Sequence, residues 1–163
     1  MAAADYDISV GGVGKGAAPS VRAASFPLSR VIDFSDEAAR DGYHSVINSG
    51  NGVANDEVIK ALAIPANCLV ERVFWEVESA SDTLTQFDIG DDTDDDGWVD
   101  GSSVSNDATS TGSGHSDSFV GGTAVAGKYY TAANQVRLTP KTGTGPHETG
   151  RIRVTAIITP NAQ

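Results

Sequence analysis

The densest reactive chemistry in this chain lies between Asp88 and Asp100. There, Asp88, Asp91, Asp92, Asp94, Asp95, Asp96 and Asp100 place seven carboxylates in thirteen residues. Like charges this close repel one another unless water, turns or a cation relieve them. Counted from Asp92, the letters run D-x-D-x-D-G, with apolar Val99 two residues after Gly97 and Asp100 at the ninth position, as a calcium loop of the EF-hand type requires. The twelfth position is Ser103, where a bidentate glutamate should stand, and no helices flank the run. The stronger expectation is a solvated acidic turn between strands, with the Asp92, Asp94, Asp96, Asp100 calcium loop as its alternative. No metal ligand and no cofactor is assigned.

Other combinations of reactive letters fail on spacing. Gly11-Gly12-Val13-Gly14-Lys15-Gly16 carries part of a phosphate-binding loop, but Ser9 replaces its first glycine and Gly16 replaces the Ser/Thr that would hold magnesium. His44, His115 and His147 are scattered, and none has metal-ligand spacing to a second histidine or to cysteine. His115-Ser116-Asp117 contains the letters of a catalytic triad, yet neighbours in a loop cannot hold nucleophile, base and orienter in mutual hydrogen-bond geometry. Two carboxylates could meet in space for glycoside hydrolysis, but the body offers few aromatics to stack a sugar. No catalytic residue is assigned, and the chain reads as a non-enzyme.

The elements that must position these residues are strands. From Arg30 onward the pattern is period-two alternation broken by turn residues. Strands are expected near Val31–Phe34, Tyr43–Ile47, Glu57–Ile64, Val70–Glu78, Leu84–Ile89, Phe119–Val120, Lys128–Thr131, Gln135–Thr139 and Arg151–Thr159. In the fourth, Val73, Trp75 and Val77 share one face while Glu76 and Glu78 share the other. In the last, Ile152, Val154, Ala156 and Ile158 face inward and Arg151, Arg153 and Thr155 outward. Ser35–Arg40 could support one helical turn with Ser35 as its N-cap. Residues 100–122, rich in Gly, Ser, Thr and Asp, read as a long surface loop. Trp75 is expected in the core, Trp98 as a cap or an interface residue, and Cys68 as a small buried hydrophobe.

About eight short strands imply two packed sheets, since stacking is how an all-β chain buries one face of each strand. The fold expected is an all-β, jelly-roll-like β-sandwich over residues 30–163, preceded by an extended N-terminal arm over residues 1–29. The arm is rich in Gly and Ala, and Tyr6, Ile8, Val10, Val13, Val21 and Phe26 are spaced to dock an extended segment onto a partner. Its charges balance (Lys15 and Arg22 against Asp5 and Asp7), so nearly all of the net charge of −11 belongs to the body.

That acidity disfavours nucleic acid, whose binding rests on Lys and Arg neutralising phosphates. No run of 18 apolar residues exists, and residues 1–20 lack a basic then apolar leader, so neither a membrane partner nor a signal peptide is expected. A single cysteine excludes an intrachain disulfide.

Four stretches carry a family resemblance: Ile64-Pro65-Ala66; Phe87-Asp88-Ile89-Gly90-Asp91 leading into Asp94-Asp95-Asp96-Gly97-Trp98-Val99-Asp100-Gly101; Gly127-Lys128-Tyr129-Tyr130-Thr131-Ala132-Ala133; and Gly150-Arg151-Ile152-Arg153-Val154. Over about residues 58–159 the chain resembles small structural proteins of tailed bacteriophages, among them capsid decoration (cement) proteins. The resemblance implies a β-sandwich on the outer surface of an assembled capsid, made in the host cytoplasm, commonly a homotrimer, with the major capsid protein as partner. It carries over no catalytic residue. The function expected is a cement protein that stabilises the shell through subunit-bridging contacts. The alternative is a tail or fibre adhesion module whose Asp88–Gly122 region meets a host glycan.

Overall fold

A computed structural model describes residues 24–36, 52–102, 113–116 and 127–160. Its strands, in chain order, are β1 (Phe26–Asp33), β2 (Ile59–Ile64), β3 (Cys68–Ser79), β4 (Leu84–Gly90), β5 (Val99–Ser102), β6 (Ser113–Ser116), β7 (Lys128–Tyr130), β8 (Asn134–Gly143) and β9 (Arg151–Pro160). Among the described residues there is no helix.

All pairings are antiparallel. One sheet has the order β1-β9-β3-β6, with β7 also pairing β3; the other has the order β2-β8-β4-β5. The chain crosses from sheet to sheet after β1, β2, β3, β5, β7 and β8. First and last strands end up side by side, as in a jelly roll with two interlocked Greek keys.

The alternation expected from sequence holds in β9, where Ile152, Val154, Ala156 and Ile158 are buried. Val73 and Val77 of β3 join them, and Trp75 packs partly buried against the same core. From the facing sheet come Ile59, Leu62, Phe87, Ile89, Val136 and Leu138. Each such side chain contributes about 1.5–3 kcal/mol when fully removed from water. Cys68 lies in this core, and its thiol donates to the Pro65 carbonyl at 2.9 Å. Burial pushes that thiol up from its ordinary value, as suits an inert packing residue.

Several expectations are corrected. Residues 100–122 are not one continuous loop: Val99–Ser102 pairs with β4, and Ser113–Ser116 pairs with Val73–Glu76 of β3. Both strands sit at sheet edges, where main-chain bonding suffices and a Gly/Ser sequence leaves no hydrophobic pattern. The Ser35 amide and hydroxyl both donate to Asp33 Oδ1, at 3.0 and 2.5 Å, and close a turn, while residues 37–40 of the helical turn expected there lie outside the described residues. Trp98 is buried in the core. Strand β1 begins at Phe26, so residues 26–29 are in the sheet. The strands expected at Tyr43–Ile47 and Phe119–Val120 lie outside the described residues.

Candidate functional site

The acidic run is organised around Asp91, the first residue after β4. Its Oδ1 accepts from the Thr93 amide at 2.8 Å, the Thr93 hydroxyl at 2.7 Å and the Asp94 amide at 3.2 Å, while its own amide donates to the Asp94 carbonyl at 2.7 Å. This is a tight Asx turn. It folds directly over Gly90, where a Cβ would lie 2.1 Å from the Asp94 carbonyl oxygen. The Trp98 amide then donates to the Ile89 carbonyl at 2.9 Å, returning the chain to the sheet.

Asp91 Oδ2 faces the other sheet. Lys128 Nζ lies 2.5 Å away and the Tyr130 hydroxyl donates at 2.8 Å, both from β7. Burial pushes the Asp91 carboxyl up, but the hydrogen bonds from Lys128, Thr93 and Tyr130 outweigh it and hold the group below the usual carboxylate value. Burial first, and the adjoining Asp91 second, push the Tyr130 phenol far above its ordinary value, so it stays a donor.

Three more carboxylates of the run, Asp88, Asp92 and Asp95, meet cations of β8. Asp88, buried on β4, accepts from the Gly101 amide at 2.7 Å. Lys141 of β8 lies 3.2 Å from Asp56, 3.3 Å from Asp88 and 3.4 Å from Asp95. Asp92 pairs with Arg137, accepts from Gln135 Nε2 at 2.7 Å and is held through its amide by Asn134 Oδ1 at 3.2 Å.

This wiring separates the four residues of the calcium alternative. Asp92 is directed to Arg137, and Asp100 stands exposed on β5. The carboxylates that meet are instead Asp94, Asp95 and Asp96, with ligand oxygens within 4.8 Å of one another. A hydrogen bond with Asp96, followed by burial and the charge of Asp96, raises the Asp94 carboxyl. The spacing of aspartates was visible in the sequence. Their cationic partners, from Lys128 to Lys141 on β7 and β8, lie far downstream and carried no local signal.

His147 is buried between loops, His115 pairs with Phe74 in β6, and His44 lies outside the described residues. Asp117 of the triad-like letters and the whole Gly11–Gly16 segment also lie outside them.

The outer face of the β1-β9-β3 sheet carries a ladder of charges. Arg151 lies 3.3 Å from Asp33 and 3.4 Å from Glu78, and Arg153 pairs with Glu78 and, at 3.8 Å, with Glu76. At the start of β1, the Ser25 hydroxyl donates to Glu71 at 2.7 Å and lies 2.6 Å from the Thr159 hydroxyl, which also bonds Glu71. Hydrogen bonds from Thr159 and then Ser25 hold the Glu71 carboxyl below its usual value. The point at which the N-terminal segment joins the body is thereby fixed.

No family model matches the sequence, and no curated protein matches it either. Solved structures do match the fold. A chain of the cyanophage Pam1 capsid asymmetric unit superposes with a TM-score of 0.61 at 13% identity, covering 98% of this chain and 98% of that one. A chain of the capsid of Ralstonia phage GP4 superposes with a TM-score of 0.54 at 10% identity, covering 90% and 91%. The likeness to phage virion proteins, read first from turn-and-strand signatures, thus holds for the fold.

Proposed function

We propose that the chain is a non-enzymatic structural component of a phage capsid, of the decoration or cement type. It sits on the outer surface of the assembled shell and stabilises it by bridging subunits. The observation that carries this reading is the end-to-end match, 98% of both chains, with a chain of a phage capsid asymmetric unit.

The physical features agree. Three cations, Lys128, Lys141 and Arg137, bind the acidic run onto the body, which yields a stiff platform. The Ser25–Glu71–Thr159 cluster anchors the base of the arm. In this reading the residues before β1 form the attachment arm and the sandwich from Phe26 onward the platform. The major capsid protein and further copies of the chain, as a homotrimer, are the partners; nucleic acid and membrane are not. An arm laid across a subunit boundary adds buried area on both sides and slows shell opening.

The test is a binding assay on assembled shells with the full chain and with a variant lacking residues 1–23, which leaves Ser25 and all of β1 in place. The truncated protein should keep its sandwich, read by circular dichroism and thermal unfolding, and lose shell occupancy. Unchanged occupancy would sink the arm's role. Electron microscopy of the native particle locates the chain on the shell or elsewhere.

A further inference from the structure

His147 is fully buried, yet it belongs to neither sheet. It lies between β8 and β9, and its main chain exchanges two hydrogen bonds with Val53, at 2.8 and 3.1 Å. Its ring spans two further segments: Nδ1 lies 3.0 Å from the Thr83 hydroxyl, and Nε2 lies 2.9 Å from Asn55 Oδ1. The Asn55 side-chain amide donates to the Gly143 carbonyl at 3.3 Å, which fixes its oxygen toward the ring. The imidazole is therefore protonated on Nε2 and accepts the Thr83 hydroxyl proton at Nδ1. One neutral ring pins residues 52–57, the turn at 81–84 and the end of β8 together.

We propose that His147 is a pH-sensitive latch: protonating its ring releases residues 52–57 and 81–84 from the pole of the sandwich while the two sheets stay folded. Protonation turns Nδ1 from an acceptor into a donor, so the Thr83 hydroxyl must swing its own proton away to accept, and neither its oxygen nor Asn55 Oδ1 carries a charge to balance the buried cation. The charged groups around the ring come from each packed segment: Asp56 and Glu57 from 52–57, Asp82 from the turn, Lys141 from β8 and Glu148 beside His147 itself. Asp56 is paired with Lys141 at 3.2 Å, Glu57 accepts from the Ala54 amide at 2.8 Å, and Asp82 and Glu148 are exposed. The two groups bonded to the ring, Thr83 and Asn55, are neutral. Among the described residues no carboxylate bonds the ring to hold a buried imidazolium, and burial pushes the ring below its ordinary value of 6.5.

The sign follows by linkage. With the folded value depressed, the unfolded or opened state binds the proton first. The latch holds fully above pH 6.5 and weakens as pH falls toward the folded value. Each pH unit in that window favours the opened loops by up to about tenfold, one proton's worth.

The experiment uses the full chain carrying His44→Gln and His115→Gln, which leaves His147 as the sole histidine. Hydrogen exchange, corrected for intrinsic rates, should show protection falling about tenfold per pH unit below the mid-six range in 52–57 and 81–84. Protection in β3 and β9 should hold. Adding H147Q should flatten that pH dependence. Simultaneous loss throughout the sandwich overturns the latch, as does an unchanged slope in H147Q. Should H147Q not fold, imidazole nitrogen shifts in the His147-only protein decide. An Nε2-protonated ring titrating below 6.5 supports the latch; a midpoint at or above 6.5, or the Nδ1-protonated tautomer, overturns it.

Discussion

Lys128 Nζ lies 2.5 Å from Asp91 Oδ2 and joins the two sheets of the sandwich at the mouth of the acidic loop. The Asp91 side chain is wholly inaccessible, whereas Lys128 keeps part of its ammonium in water. An amide in its place can accept with one atom only, so it either keeps the Asx turn and presents a donor to Tyr130 and Lys128, or serves those two and loses the turn. An Asp91→Asn change should therefore cost about 3 kcal/mol in urea unfolding at neutral pH. Asp88 differs: burial chiefly, against the Gly101 and Lys141 hydrogen bonds, raises its carboxyl above the usual value. Asp88→Asn sheds the cost of burying a charge there and should cost less than about 1 kcal/mol.

The same pair sets the acid limb. A carboxyl held below its ordinary value of 3.8 contributes stability that is present above that pH and lost as pH falls through the lower folded value. The wild type should lose stability across that window, and D91N should lose less across it. Unfolding midpoints from pH 5 to about pH 2 measure the difference; parallel curves would assign the acid limb to other groups.

Lys141 is the cation shared by Asp56, Asp88 and Asp95. Burial pulls its ammonium down, but the hydrogen bonds with Asp56 and Asp88 and the charges around it outweigh that, keeping it well above the usual lysine range. Lys141→Met should cost about 2–3 kcal/mol, because it leaves buried Asp88 without its cation. Part of the loss is repulsion among acids, which salt screens. The gap between variant and wild type should shrink as sodium chloride rises from about 0.05 to 0.5 M.

Two glycines separate lack of space from backbone strain. A methyl at Gly90 would collide with the Asp94 main chain, whereas Gly101, with φ near +54°, has open space around its Cβ position. Gly101→Ala should cost about 1–2 kcal/mol, the left-handed penalty alone. Gly90→Ala should cost more and should expose Trp98, read as a red shift and quenching of tryptophan fluorescence.

What the sequence disclosed follows from the range of its signals. Alternation in Arg151–Thr159 and Val73–Glu78 is local, so those strands and their inward faces were legible, and two packed sheets followed from the number of strands. β5 and β6 were not, because edge strands of Gly and Ser are selected by main-chain pairing with β4 and β3. The acidic run was conspicuous as composition. Its meaning was not, because Lys128, Arg137 and Lys141, which pair with part of it, lie on strands that only the folded topology brings alongside. His147 reads in sequence as one histidine in a loop; its latch geometry needs Thr83 and Asn55, each more than sixty residues away.

The neutralised wiring also bears on calcium. Calcium takes six to eight oxygen ligands, and the EF-hand pattern would draw them from Asp92, Asp94, Asp96 and Asp100 around one point. Here Asp92 is engaged by Arg137 and Gln135, and the oxygens that converge belong to three consecutive residues, Asp94, Asp95 and Asp96. To rebuild the EF-hand set, the loop would have to break the Arg137 pair and lift Asp92 from Asn134. Millimolar calcium should therefore leave the thermal midpoint unchanged and produce no saturable heat in isothermal titration. A rise in the midpoint that a chelator reverses would show that the loop rearranges around the ion. Arg137→Met, which frees Asp92, should then raise the calcium response further.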